Sequence, residues 1–200
     1  RRIVWTKAQR RMRKIADAKT LFLDRDGVIN TRKIGGYIQS VEEFEFIDGV
    51  LEAFGIFARL FDTIVVVTNQ QGIGKALMSE KDFENISLYM KNEIVRSGGR
   101  LDQVFHCPAL AKQEPFDRKP SVGMGLKARK QFPQIRFKDS IMVGDSLSDL
   151  IFGKRLGMHT VHISNSNTTA RQHSKRTDFR FDNLLEFAKF IEHEKNNKSN

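Results

Sequence analysis

The sequence predicts one α/β domain, a Rossmann-like three-layer sandwich with a mostly parallel central sheet and no separate cap domain. Three observations predict it. From Thr20 onward, apolar runs of strand length alternate with amphipathic stretches of helical period, the pattern of a parallel sheet covered by helices. The chain has 200 residues, 40% of them hydrophobic, which suffices for one proper core. The unusual polar residues fall where the apolar runs end, and in an open α/β sheet that is the ligand-binding side.

Residues 1–19 read as a basic, helical extension. Arg1, Arg2, Lys7, Arg10, Arg11, Arg13 and Lys14 come before any acidic residue, so this leader carries most of the formal charge of +10. Trp5, Ala8, Met12 and Ile15 recur at helical spacing, as in a helix that is solvated or that docks on the domain or a partner. The domain itself spans residues 20–194. Its strands are expected at 20–23, 63–68, 101–105, 140–144, 159–163 and 179–181, and its helices at 49–60, 79–97, 123–131, 146–156 and 183–193. Ser79 followed by Glu80 and Asp82, and Ser146 with Asp149 at the third helical position, are capping signals. Residues 195–200 read as a polar tail that frays. The chain opens on Arg1, so a trimmed product or a piece of a longer polypeptide is expected.

A single cysteine excludes an internal disulfide, and with no secretory signal in view the cytoplasm is the expected compartment. No run approaches the roughly 18 to 20 apolar residues of a membrane helix. The longest, Ile64-Val65-Val66-Val67, is strand-sized.

Four clusters carry the chemistry. The first strand ends in Asp24-Arg25-Asp26-Gly27, two carboxylates two residues apart at a strand tip. Phosphate ester hydrolysis needs such a pair, one to attack phosphorus and one to protonate the leaving oxygen and then activate water. With a free pKa of about 3.9, an acid role for Asp26 requires a local upward shift. The second strand ends in Thr68-Asn69-Gln70-Gln71-Gly72, a hydroxyl, amides and accessible N–H groups suited to phosphoryl oxygens. Gly72-Ile73-Gly74-Lys75 looks like a nucleotide loop, but Ala76 stands where the phosphate-loop pattern requires Ser or Thr, so no nucleotide site is expected there. Asp117-Arg118-Lys119-Pro120-Ser121 places two cations before a helix start, a Lys to balance phosphoryl charge and an Arg for a forked contact to a second anionic group. Gly144-Asp145-Ser146-Leu147-Ser148-Asp149 offers one carboxylate at a strand tip and another a helical turn on, oxygen ligands of the kind Mg²⁺ prefers.

The order Asp-x-Asp-Gly, strand-Thr-Asn, Arg-Lys-Pro and Gly-Asp-x-x-x-Asp resembles the haloacid dehalogenase superfamily from about Thr20 to Ile163. That resemblance implies Asp24 as nucleophile, Asp26 as general acid and base, and Thr68 and Lys119 as phosphoryl stabilisers. It also implies Mg²⁺ held by Asp24, the backbone oxygen of Asp26, and Asp145, with Asp149 in a supporting place. Gly36-Tyr37, 44–50 and the stretch through Gln70 look like the heptose 1,7-bisphosphate 7-phosphatases and their histidinol-phosphatase relatives, which makes Gly36, Tyr37, Asn69, Gln70, Gln71 and Arg118 the expected substrate contacts.

Those families usually carry a zinc loop of three cysteines and one histidine. Here only Cys107 remains, with Ala109, Pro115 and Asp117 at the other ligand positions, so no structural zinc is expected. Ser146 replaces the lysine that usually follows the metal-binding aspartate.

The intervals between these motifs are filled by the helices and strands above. Only the loops 31–41 and 108–116 remain to cover the site, and their Arg32, Lys33 and Lys112 suit a second phosphate. The expected substrate is therefore a small phosphorylated metabolite, a sugar bisphosphate first and histidinol phosphate second. A nucleic-acid 3′-phosphatase is the rival from another class. It is disfavoured because aromatic residues, Trp5 apart, are not interleaved with the basic leader. Intact Asp24 and Asp26 oppose a non-catalytic role.

Overall fold

The computed structural model describes residues 6–164 and 174–199. Arg1, Arg2 and Trp5 of the leader lie outside the described residues. Six strands form one sheet: β1 (Thr20–Leu23), β2 (Thr63–Asn69), β3 (Gln103–Cys107), β4 (Ser140–Gly144), β5 (His159–Ile163) and β6 (Phe179–Phe181). Their order is β3-β2-β1-β4-β5-β6, and every pairing is parallel, so the sheet is wholly rather than mostly parallel.

Period-two alternation divides the apolar side chains between two cores, one on each face of the sheet. Leu21, Leu23, Ile64, Val66, Ile141 and Val143 point to one face, under α1 (Lys7–Ala16), α2 (Val50–Leu60), α4 (Glu80–Arg96) and α7 (Leu184–Ser199). Phe22, Val65, Val67 and Met142 point to the other, under α5 (Gly123–Gln131) and α6 (Leu147–Leu156). The three layers follow. A short helix, α3 (Gln71–Gly74), follows β2 and was not foreseen from the sequence.

Two boundaries differ from expectation. The third strand runs two residues later than the apolar run 101–105 suggests. Residues 100–102 instead tie the base of the sheet together. Asp102 accepts the Ile64 N–H at 2.7 Å, and Arg100 donates to the carbonyls of Ala58 at 3.1 Å and Phe61 at 2.5 Å. The ladder then continues until Cys107 lies opposite Asn69. The polar tail after Glu194 is helical through Ser199, because Lys195 donates to the carbonyls of Ala16 at 3.1 Å and Ala18 at 2.6 Å, and Lys198 pairs with Asp17. The described part of the leader lies along α7, with Ile15 and Ala18 wholly buried in the larger core while Ala8 is exposed.

The chain enters the sheet at its centre, winds outward to β3 and returns to β4 on the other side of β1. The crevice beyond the carboxyl ends of β1 and β4 is the topological switch point, where such sheets bind ligands.

Candidate active site

Each of three central strands ends in a functional side chain. Asp24 follows β1, its N–H donating to the Val143 carbonyl at 2.9 Å and so extending the ladder by one residue. Thr68 is the penultimate residue of β2, and Asp145 follows β4. Lys119 arrives from the loop before α5. Asn69 fixes it through the main chain, donating Nδ2 to the Lys119 carbonyl at 3.0 Å and accepting the Lys119 N–H on Oδ1 at 3.0 Å.

The Lys119 ammonium is buried among its partners. Nζ donates to Asp24 Oδ1 at 2.9 Å, Asp149 Oδ1 at 2.6 Å and the Val67 carbonyl at 2.7 Å. All three donors of the ammonium are used, which is the condition for keeping a buried charge. Burial works against that charge, but Asp149 and Asp24 outweigh it and push Lys119 above its ordinary value. Asp149 has a second task. Its Oδ2 accepts the Ser146 N–H at 3.0 Å and the Ser146 hydroxyl at 2.7 Å, closing the cap at the start of α6 that the sequence signalled.

Asp26 is held from both sides. Oδ1 accepts from Arg25 at 2.8 Å and Asn30 at 3.0 Å, and Oδ2 accepts from Gln70 at 2.8 Å; the same Gln70 amide also reaches the Thr68 hydroxyl at 2.9 Å. Burial alone would raise Asp26, but the Arg25 charge and the hydrogen bonds from Arg25, Asn30 and Gln70 outweigh it and hold the carboxyl below its usual range. The upward shift expected of Asp26 is therefore corrected. Its cause, Arg25, is the residue the sequence reading missed. Arg25 is wholly buried, its guanidinium 5.9 Å from the Phe44 ring and 5.8 Å from the Phe83 ring. A cation between two aspartates at the end of an apolar strand was the available signal.

Asp24, Asp145 and Asp149 bring carboxylate oxygens within 4.8 Å of one another. Burial first, then Asp149, raises Asp24 to about 6, against the pull of Lys119. Burial first, then Asp24, raises Asp145 to about 8. Gly27, at φ 87°, makes room for this: a Cβ there would meet Asp145 Oδ2 at 2.1 Å. Arg32 leans in, donating to Asp145 Oδ1 at 3.2 Å and approaching the Asp26 carbonyl at 3.5 Å.

A cleft of about 210 Å³ is lined by Asp24, Asp26, Tyr37, Asn69, Gln71, Arg118, Lys119 and Asp149. Arg32 also lines it and is shared with two neighbouring cavities. One, of about 500 Å³, takes in Lys33, Gly36, Tyr37, Gln70 and Lys75. The other, of about 620 Å³, takes in Gly27 and Asp145. Gly36, Gln70 and Asp145 thus flank the cleft rather than line it, and Thr68 is buried next to it. Lys33 is paired with Glu43 at 2.6 Å and Lys112 is exposed on its loop, while Lys75, not singled out as a phosphate contact, faces the 500 Å³ groove. Cys107 is buried at the end of β3, in the core under α5 and α6.

A family model described as HAD-hydrolase-like matches residues 116–187. The D-glycero-alpha-D-manno-heptose-1,7-bisphosphate 7-phosphatase of Campylobacter jejuni is 38% identical over 175 residues, which cover 86% of this chain and 95% of that protein. The chain belongs to the haloacid dehalogenase-like phosphatases. It is a hydrolase of phosphoric monoesters. The D-glycero-beta-D-manno-heptose-1,7-bisphosphate 7-phosphatase of Vibrio cholerae is 37% identical over 147 residues, covering 70% of this phosphatase and 77% of that one. The D,D-heptose 1,7-bisphosphate phosphatase from B. bronchiseptica, solved with magnesium and phosphate, superposes with a TM-score of 0.81 at 27% identity, covering 88% of this chain and 99% of that one. Among the described residues, no helix of the phosphatase is long and apolar enough to cross a membrane.

Proposed function

We propose that this phosphatase removes one phosphate from a sugar bisphosphate of the heptose 1,7-bisphosphate kind, with Asp24 as nucleophile and Mg²⁺ as cofactor. The observation that carries the reading is the buried contact of Lys119 with Asp24, 95 residues away in sequence, at the switch point of the sheet. With Oδ1 of Asp24 engaged by Lys119, Oδ2 is the attacking atom. It bonds to phosphorus, the ester P–O bond breaks, and the leaving oxygen takes the proton carried by Asp26. Water then attacks the aspartyl-phosphate and gives its proton to Asp26, and phosphate leaves. A phosphoryl dianion beside Asp26 acts opposite to Arg25, raising the carboxyl into the range an acid needs. Lys119, held beside Asp24, balances the phosphoryl charge, and the Thr68 hydroxyl, buried next to the cleft, accepts from Gln70 and so keeps its own proton for a phosphoryl oxygen.

The residues present suit a divalent cation. Two carboxyl groups raised by burial first and then by neighbouring carboxylates, Asp24 and Asp145, share a Gly27 cradle, and the adjacent Arg32 donates to Asp145. Asp24, Asp145 and the Asp26 carbonyl would hold Mg²⁺, with Asp149 withheld by its bonds to Lys119 and Ser146. When bound, the ion neutralises phosphoryl charge.

The names and folds of the relatives support the substrate class, as do Arg32, Lys75 and Arg118 around the cleft, which suit a second phosphate. The test is phosphate release from heptose 1,7-bisphosphate, histidinol phosphate and a 3′-phosphorylated oligonucleotide, each with Mg²⁺ and with excess EDTA. The sugar bisphosphate is expected to turn over fastest and only with the metal. Asp24→Asn is expected to lose on the order of 10⁴-fold or more. Preference for the oligonucleotide would overturn the substrate, and a fully active Asp24→Asn the nucleophile.

A further inference from the structure

The segment Gln71-Gly72-Ile73-Gly74-Lys75 takes no part in the bond-breaking steps above, yet it lies between the two loops that wall the cleft. We propose that Gln71 is a positioning residue that latches loops 31–41 and 108–116 to each other, and that it sets substrate specificity by turning the Tyr37 hydroxyl proton toward the bound sugar. The inference rests on the phosphatase reading for its substrate and on the following contacts for its geometry.

Both ends of the Gln71 amide are engaged. Oε1 accepts the Ala111 N–H at 3.2 Å, and Nε2 donates to Tyr37 Oη at 2.8 Å. A backbone N–H can only donate, so the oxygen end must face Ala111 and the amide nitrogen must face Tyr37. Tyr37 Oη is therefore the acceptor in that bond, and its own proton is left for a group in the cleft that Tyr37 lines.

The backbone repeats the arrangement on both flanks. A Cβ on Gly72 would meet Tyr37 Cγ at 3.0 Å, so glycine lets α3 sit close against that ring, and the Lys75 ammonium lies 5.2 Å from the ring centroid. On the other flank Gly74 donates its N–H to the Pro108 carbonyl at 3.0 Å, and a Cβ there would come within 2.6 Å of that oxygen. Arg118 adds a contact of 3.4 Å to the Ala109 carbonyl. Ordinary hydrogen bonds thus fix the 108–116 loop.

The test uses the full-length phosphatase with Mg²⁺ and heptose 1,7-bisphosphate. For Gln71→Ala, KM is expected to rise about tenfold while kcat falls no more than about threefold, since two neutral hydrogen bonds are lost from the loops and none from the reacting atoms. Tyr37→Phe should match it, and the double variant should be no worse than the poorer single one, because both substitutions break the same link. Trypsin cleavage after Lys112 should quicken severalfold in Gln71→Ala. Gln71→Glu accepts from both Ala111 and Tyr37, so it should keep the protection from trypsin and still raise KM, the Tyr37 proton now turned away from the cleft. Multiplying effects of Gln71→Ala and Tyr37→Phe, or trypsin cleavage unchanged in Gln71→Ala, would overturn the latch. A wild-type enzyme inactive on the sugar bisphosphate would overturn the substrate reading alone, since the proteolysis comparison stands without it.

Discussion

Lys119 and Asp149 form a pair with less than a fiftieth of either side chain exposed, and such a pair is costly to break rather than valuable to have. Asp149→Ala leaves the ammonium with one carboxylate and uncaps α6. It is expected to cost about 3 to 5 kcal/mol in urea unfolding, and an unchanged midpoint would refute the role given to it. Gly27→Ala drives a methyl into Asp145 at a backbone angle that disfavours alanine, and is expected to weaken Mg²⁺ binding in calorimetry at least tenfold. The carboxyl groups also set a pH dependence. Asp24 and Asp145 rise from 3.8 to about 6 and about 8, so the stability they contribute is full below 3.8 and is lost as pH climbs through those values. Mg²⁺ binds the ionised forms. It should therefore raise the melting temperature more at about pH 8 than at about pH 5, and an equal rise at both would contradict the assignment. At this scale the sequence showed which side chains end the strands, because strand tips and caps are local. It did not show that Arg25 would hold Asp26 down, since a neighbour in sequence can point anywhere until Phe44 and Phe83 close around it.

The helices divide by what positions them. α4 and α6 were legible because each carries its own cap: Ser79 accepts the Asp82 N–H at 3.0 Å, and Ser146 is served by Asp149. The last turns of α7 were not, because the partners of Lys195 are carbonyls at the far end of the chain, and composition alone reads them as a solvated tail. β3 was misplaced for a similar reason. Leu101 looks like strand but closes the base of the core, and only pairing with β2 decides where an edge strand stops. The boundary drawn at residue 19 can be tested in the same terms. Ile15→Ala is expected to cost about 2 to 5 kcal/mol in thermal unfolding, as for a core residue. A change within about 0.5 kcal/mol would return the leader to the status of an appendage.

For the molecule as a whole, charge and openness act together. Among the described residues only loops wall the cleft, and Arg32 and Arg118 on its lining, with Lys75 in the adjoining groove, give this side a positive field. KM for a sugar bisphosphate should then rise more steeply with added salt than KM for the matching monophosphate, and parallel slopes would show that the second phosphate is not sensed. The shared carboxylate of Asp149 has an effect on the life of the enzyme under heat. One residue both seals the first turn of a helix and steadies the ammonium, so fraying of that turn disarms catalysis while the rest of the sheet is intact. Activity should fade on warming several degrees before the far-ultraviolet dichroism changes, and should return on cooling.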